Sequence, residues 1–163
     1  MAVGTLIGIA TGFFGGWFDL VVQRVIDAPM SIPTLLLTLV VVVFLGLGTI
    51  NVTIALAIVF TPGISRIVRA SAITESHRDY IAAAAALGAS TPRILFRHLL
   101  PNVIPTVIVL ITINFGQAIL AEASLSFLGM GSQPPTPSWG LMLNRAGLSY
   151  FLDRPMLAIV PGF

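Results

Sequence analysis

An all-α, polytopic transmembrane helical bundle is the fold class this sequence predicts, on three observations. The 163 residues are 56% hydrophobic and 9% charged, with a mean hydropathy of +1.01, whereas soluble domains carry about 25% charged residues. The apolar residues gather in runs of the length that crosses a hydrocarbon core of about 30 Å. All the basic residues are arginine, and most fall in one stretch between those runs. Residues 1–163 therefore read as a single membrane domain.

The first run, MAVGTLIGIATGFFGGWF over residues 1–18, is apolar and glycine-rich. It lacks the basic flank and small-residue cleavage site of a secretory signal. Residues 155–163, PMLAIVPGF, begin another apolar run. A fragment of a longer subunit, cut inside one span at the front and at the entry to another at the back, is the expectation. Residues 32–68 are nearly all apolar, broken only by GLGTINVT at 46–53 and by Thr61-Pro62-Gly63. One helix of that length would extend roughly 55 Å, so two spans are expected. Gly46, Gly48 and Asn51 supply the turn between them. A third complete span is expected over 104–121, continued by ASLSFLGMG, for about five segments in all.

Orientation follows from charge. Arg66, Arg69, Arg78, Arg93 and Arg97 fall in one connection, a turn at Gly46 places Arg24 on the same side, and Arg145 and Arg154 lie opposite. The positive-inside rule makes residues 71–101 a cytoplasmic loop and 132–154 an outer loop, whose Trp139, Tyr150 and Phe151 suit the membrane interface. A multi-pass protein of the plasma membrane is expected.

Within the cytoplasmic loop, the alanine run makes 80–87 helical, and Gly88 can adopt a left-handed C-terminal cap. Ser90 or Thr91 can cap a second helix with Pro92 at its first position. Ile94, Leu95, His98 and Leu99 share a face of it, Arg93 and Arg97 flank that face, and Pro101 ends or kinks the helix. Two short helices at an angle result, the first covered in methyl groups that let another surface approach closely. A connecting segment that touches nothing would have the same composition.

The chain has no lysine and no cysteine. The first absence rules out a phosphate loop and Schiff-base chemistry, and the second thiol nucleophiles and thiolate metal sites. A net charge of +2 is too small to argue for nucleic acid. Glu75, His77, Asp79 and His98 are metal-ligand types in a solvated loop, and no metal site is expected from them. Ser124 and Ser126 have no nearby histidine, so no catalytic group is expected. Glu122 in the third span either lines a pathway or holds the packing of the following turn. Asn51, Asn114 and Gln117 face either a pathway or a neighbouring helix. Pro62 either kinks its span toward a pathway or is simply tolerated there.

The pattern A-A-x-x-x-G, about nine residues, then x-x-L-P, carried here by Ala83, Ala84, Gly88, Leu100 and Pro101, resembles the signature of permease subunits of binding-protein-dependent ABC importers. It departs from that signature at Ala82, where the family has Glu, and at His98, where it has an aliphatic residue. GGWFD at 15–19, RHLLPN at 97–102, AEASLSFLG at 121–129 and QPPTPSWG at 133–140 are similar to the second permease of dipeptide, oligopeptide and nickel importers. That branch commonly lacks the leading Glu. The resemblance implies a six-span, non-catalytic subunit that pairs with a second permease and two ABC ATPase subunits. An extracytoplasmic substrate-binding protein would deliver the cargo. ATP-Mg would be bound by the partner ATPases and no cofactor by this chain. The loop carrying Ala82, Ala83, Ala84, Gly88, Ala89, Arg93, Arg97, His98, Leu100 and Pro101 would be the coupling helix that docks on the ATPase. The rival reading is a self-sufficient ion-coupled transporter or channel using Glu122.

Overall fold

The computed structural model describes residues 1–149 together with Met156, Ile159 and Val160. Its elements are α1 (Ala2–Phe14), α2 (Gly16–Asp27), a 3-10 turn (Ala28–Ser31), α3 (Thr34–Leu45), α4 (Thr49–Ser76), α5 (Asp79–Ala86), α6 (Thr91–Phe127) and α7 (Trp139–Ser149). No strand occurs among the described residues. Among the described residues two helices, α4 and α6, are long and apolar enough to cross a membrane, and a third crossing arises if Gly16–Ser31 and Thr34–Leu45 count as one broken span. At 12 residues, α3 alone rises about 18 Å, short of the hydrocarbon core. The two full spans expected over 32–68 are therefore one long helix and one short one. The break between them is where the turn residues stand. Gly46 and Gly48 take φ of +91° and +135°, and Asn51 donates from Nδ2 to the carbonyls of Leu45 and Gly46 at 2.9 and 3.1 Å. Asn51 thus ties off the end of α3.

The chain divides into two compact units. One is Met1–Ser31 with Phe60–Asn114, the other Ile32–Val59 with Phe115–Phe163. Helices α4 and α6 contribute to both.

In the first unit α1 lies on α4 along a stripe of small residues. A Cβ at Gly4, Gly8 or Gly12 would sit 3.0 Å from the Thr61 carbonyl oxygen, 2.6 Å from that of Ser65, or 2.8 Å from that of Arg69. Only hydrogen fits there, and the close approach gains dispersion contacts in a setting where lipid offers no hydrophobic drive. Ile9, Ile64, Val68, Ala72, Leu99, Val103 and Leu110 form the core of α1, α4 and α6. Helix α2 is fastened by its polar side: Asp19 forms a two-point ion pair with Arg69, Asp27 meets Arg66 at 2.7 Å, and Gln23 donates to Thr11 Oγ1 at 3.1 Å. Arg66 and Arg69 accordingly belong to α4, which runs on to Ser76. The loop expected to hold them begins later, because paired acids and continuing helix geometry keep both arginines folded.

The second helix of the expected loop is likewise not separate. Helix formation runs from Thr91 through Pro101 to Phe127 without a break. The reason is a π turn over Ile94–Leu99, in which the Leu100 amide reaches back to the Leu95 carbonyl. The wider turn accommodates Pro101, which has no N–H and whose ring crowds the preceding turn.

In the second unit, buried positions recur at helical spacing: Thr38 and Val42 on α3, Val52, Ala55 and Leu56 on α4, and Ala121 and Leu125 on α6. The outer connection expected over 132–154 contains helix α7. Gly140 lies against α6 so closely that a Cβ would come within 1.9 Å of the Ala123 carbonyl oxygen, and Asn144 donates to the Phe127 carbonyl at 2.6 Å. Tyr150, Phe151 and Arg154 lie outside the described residues.

Candidate functional site

The turn between α5 and α6 is built from local signals. Leu87 closes α5, and Gly88 follows at φ +80°. The Ala89 amide donates to Ala84 O at 3.0 Å and the Gly88 amide to Ala85 O at 2.9 Å. That pair of bonds is a Schellman motif, which satisfies the last carbonyls of the helix and needs a residue free to take positive φ. On the far side Ser90 is the N-cap in extended conformation, and Pro92 stands in the first turn. The cap works through its backbone, with the Ile94 amide on Ser90 O at 3.0 Å.

This turn presents a smooth surface. Ala82, Ala83, Ala85, Ala86 and Gly88 are exposed, and Ala84 and Ala89 half-buried. Leu87 is 89% exposed and projects from the small residues around it. No heavy atom lies within 4 Å of a Cβ built on Gly88. Arg93, Arg97 and Pro101 are exposed on the first turns of α6, His98 is half-buried, and Leu100 packs on the core of α1 and α4. Ile81 and Ile94 are buried and anchor the two sides of the turn. Beside it, Tyr80 donates its hydroxyl to Glu75 Oε2 at 3.0 Å, and Arg78 meets Glu75 Oε1 at 3.4 Å. Partial burial, then the Glu75 carboxylate, hold the Tyr80 phenol above its ordinary range, with Arg78 opposing. His77 Nδ1 lies 2.8 Å from the Ile73 carbonyl. No group of three metal-ligand side chains gathers among the described residues.

Elsewhere, in the second unit, Glu122 is the centre of a polar network. Its Oε1 accepts from Ser126 Oγ at 2.6 Å and from Ser132 Oγ at 3.0 Å. Ser126 Oγ accepts the Ser132 amide at 2.9 Å, and Ser132 Oγ lies 3.1 Å from Thr49 Oγ1. One carboxylate oxygen thus joins the end of α6, the turn after it and the start of α4. On α6, Asn114 donates from Nδ2 to the Leu110 carbonyl at 2.8 Å, within its own helix. Gln117 is exposed.

Sequence reading named Glu122 and Ser126 without pairing them, and it did not single out Ser132 or Thr49, which come from separate segments. Nor did it single out the Gly4, Gly8 and Gly12 stripe or the Asp19–Arg69 pair. The signals were present as spacings of four: three glycines on α1, and Asp19, Gln23 and Asp27 on α2.

Comparison with known proteins places these features in a family. Residues 4–160 match the family described as binding-protein-dependent transport system inner membrane component. The chain is 40% identical over 161 residues to the glutathione transport system permease protein GsiD of Pectobacterium atrosepticum, covering 99% of this chain and 53% of that protein. It is 41% identical over 160 residues to GsiD of Escherichia coli O6:K15:H31, covering 98% and 52%. To the dipeptide transport system permease protein DppC of Alkalihalophilus pseudofirmus it is 39% identical over 160 residues, again covering 98% and 52%. The chain spans about half the length of these curated relatives. An all-helical chain with membrane-length helices, matched to one family over nearly all its residues, belongs to the inner membrane components of binding-protein-dependent transport systems.

Proposed function

We propose that this chain is part of a permease subunit of an ABC importer whose cargo is a peptide. With a second permease it forms the pathway. The α5–α6 turn couples that pathway to two cytoplasmic ATPase subunits, which bind the ATP-Mg, and an extracytoplasmic binding protein delivers the cargo. The observation that carries the reading is the exposed, methyl-covered α5, closed by the Schellman turn at Gly88 and set on the arginine-rich side. A surface of that kind admits another protein's cleft close to the backbone. The relatives named for glutathione and dipeptide transport favour a peptide over nickel.

Two variants of Gly88 in the full-length subunit test coupling. At φ +80° a β-branched residue costs about 1–2 kcal/mol, whereas Asn tolerates that region. Gly88→Val is expected to abolish uptake and ATPase co-purification while membrane insertion stays normal. Gly88→Asn keeps the turn and is expected to lose only part of the coupling. Wild-type uptake and co-purification in both variants would refute the docking role. The ion-coupled alternative is separated by omitting the ATPase subunits: it predicts uptake that persists on an ion gradient alone.

A further inference from the structure

Helix α2 has an arrangement that a water-facing helix would not have. Its polar residues Asp19, Gln23 and Asp27 recur every four positions and all bond to partners on α4 and α1, Asp19 buried and Asp27 half-exposed. The opposite face is apolar and uncovered: Trp17 is 79% exposed, Leu20 64% and Val25 69%, with Phe18 and Val21 beside them. Within that face, between Leu20 and Trp17 by helical spacing, stands Arg24, exposed and in ion-pair distance of no acid among the described residues. An aromatic and aliphatic face carrying one cation on a stem long enough to reach the headgroups fits the boundary between phospholipid acyl chains and headgroups.

Two further observations say where this face lies. Asp19 and Asp27 are 8 residues apart on α2, about 12 Å of rise, yet they pair with Arg69 and Arg66, only about 4.5 Å apart along α4. Both ends of α2 are thus held near one short stretch of α4. Arg66 and Arg69 stand 17 and 20 residues beyond Thr49 in α4, at the end of the length of helix that crosses the hydrocarbon core. The contact is therefore at headgroup depth on the arginine-rich side. At the other end, Gly15 and Gly16, both at φ +58°, end α1 and let the chain turn into α2.

We propose that α2 is an interfacial helix, its Trp17, Leu20, Val21 and Val25 face seated in the lipid of the cytoplasmic leaflet and Arg24 reaching the phosphate layer. The proposal rests on membrane insertion and not on cargo or ATPase coupling, so its test reads neither uptake nor hydrolysis. Val21→Cys and Val25→Cys are introduced singly into a full-length subunit and transporter in which every other cysteine is replaced by serine, spin-labelled, and examined in the assembled transporter in phosphatidylcholine–phosphatidylglycerol nanodiscs. Both labels are expected to relax several-fold faster with oxygen than with a water-soluble nickel chelate, at a depth about 5–10 Å inside the phosphates. Shielding from both reagents would mean that another protein surface covers the face, and rapid relaxation by the chelate would mean water; either result overturns the proposal. Trp17 provides a readout without a label. In a background in which every other tryptophan, Trp139 included, is replaced by Phe, its emission is expected to be quenched more by lipids brominated near the headgroup than by lipids brominated near the chain ends. Equal quenching, or none, would also overturn it.

Discussion

Glu122 is a carboxylate in an apolar helix whose Oε1 is occupied by two serine hydroxyls. An acceptor removed from such a network leaves donors with nothing to bond, at about 1–3 kcal/mol. Glu122→Gln keeps an acceptor at that position and is expected to leave both uptake and the thermal midpoint of the detergent-solubilised subunit near wild type. Glu122→Ala is expected to lower stability by that amount. If the Gln variant unfolds normally but fails to transport, the carboxylate charge belongs to the pathway and the packing account is wrong. The network also shows the limit of reading one residue at a time. The sequence run ASLSFLG marks Ser126 as a neighbour of Glu122, one helical turn on, but Thr49 comes from a helix more than 70 positions earlier. Gly88 is the contrasting case, because its left-handed turn depends only on its own helix and was visible in the residue types alone.

At the scale of elements, the α1–α4 contact depends on what the glycines lack. A side chain at Gly8 would enter the space of the Ser65 carbonyl and the Val68 side chain. Gly8→Val is expected to destabilise the subunit by about 1–3 kcal/mol or more by forcing the helices apart. Gly116→Ala, in α6 where no heavy atom lies within 4 Å of the added Cβ, is expected instead to gain about 0.5–1 kcal/mol from helix propensity. Denaturation of both variants in the same detergent checks the pair, and equal destabilisation would refute the close-packing account. Helix α6 teaches a related lesson about proline. Pro101 reads locally as a helix end or a kink, yet Thr91–Phe127 is one helix because the π turn before Pro101 absorbs the missing donor. Where a backbone adjusts by one residue per turn, local propensity cannot foresee it.

At the scale of the molecule, exposed apolar surface dominates. Only 11% of the apolar window of Thr91–Phe127 is buried inside the chain, and 33% of that of Thr49–Ser76. Surface of that kind needs lipid or a partner subunit. The chain is therefore expected to stay in the pellet when membranes are washed with alkaline carbonate, and release into the supernatant would contradict membrane insertion. Composition, the spacing of apolar runs and the arginine distribution were by themselves enough to determine an all-helical membrane chain. They also determined the turns at Gly46 and Gly88, because those properties depend on residues close in sequence. The tertiary structure alone decided that Arg66 and Arg69 sit in α4 against Asp27 and Asp19, and that three glycines of α1 meet α4. It alone decided that Glu122 ties α6 to α4 through Ser132. Each of these is a contact between segments far apart in the chain, and a periodicity shows which face of a helix is distinctive without saying what will meet it.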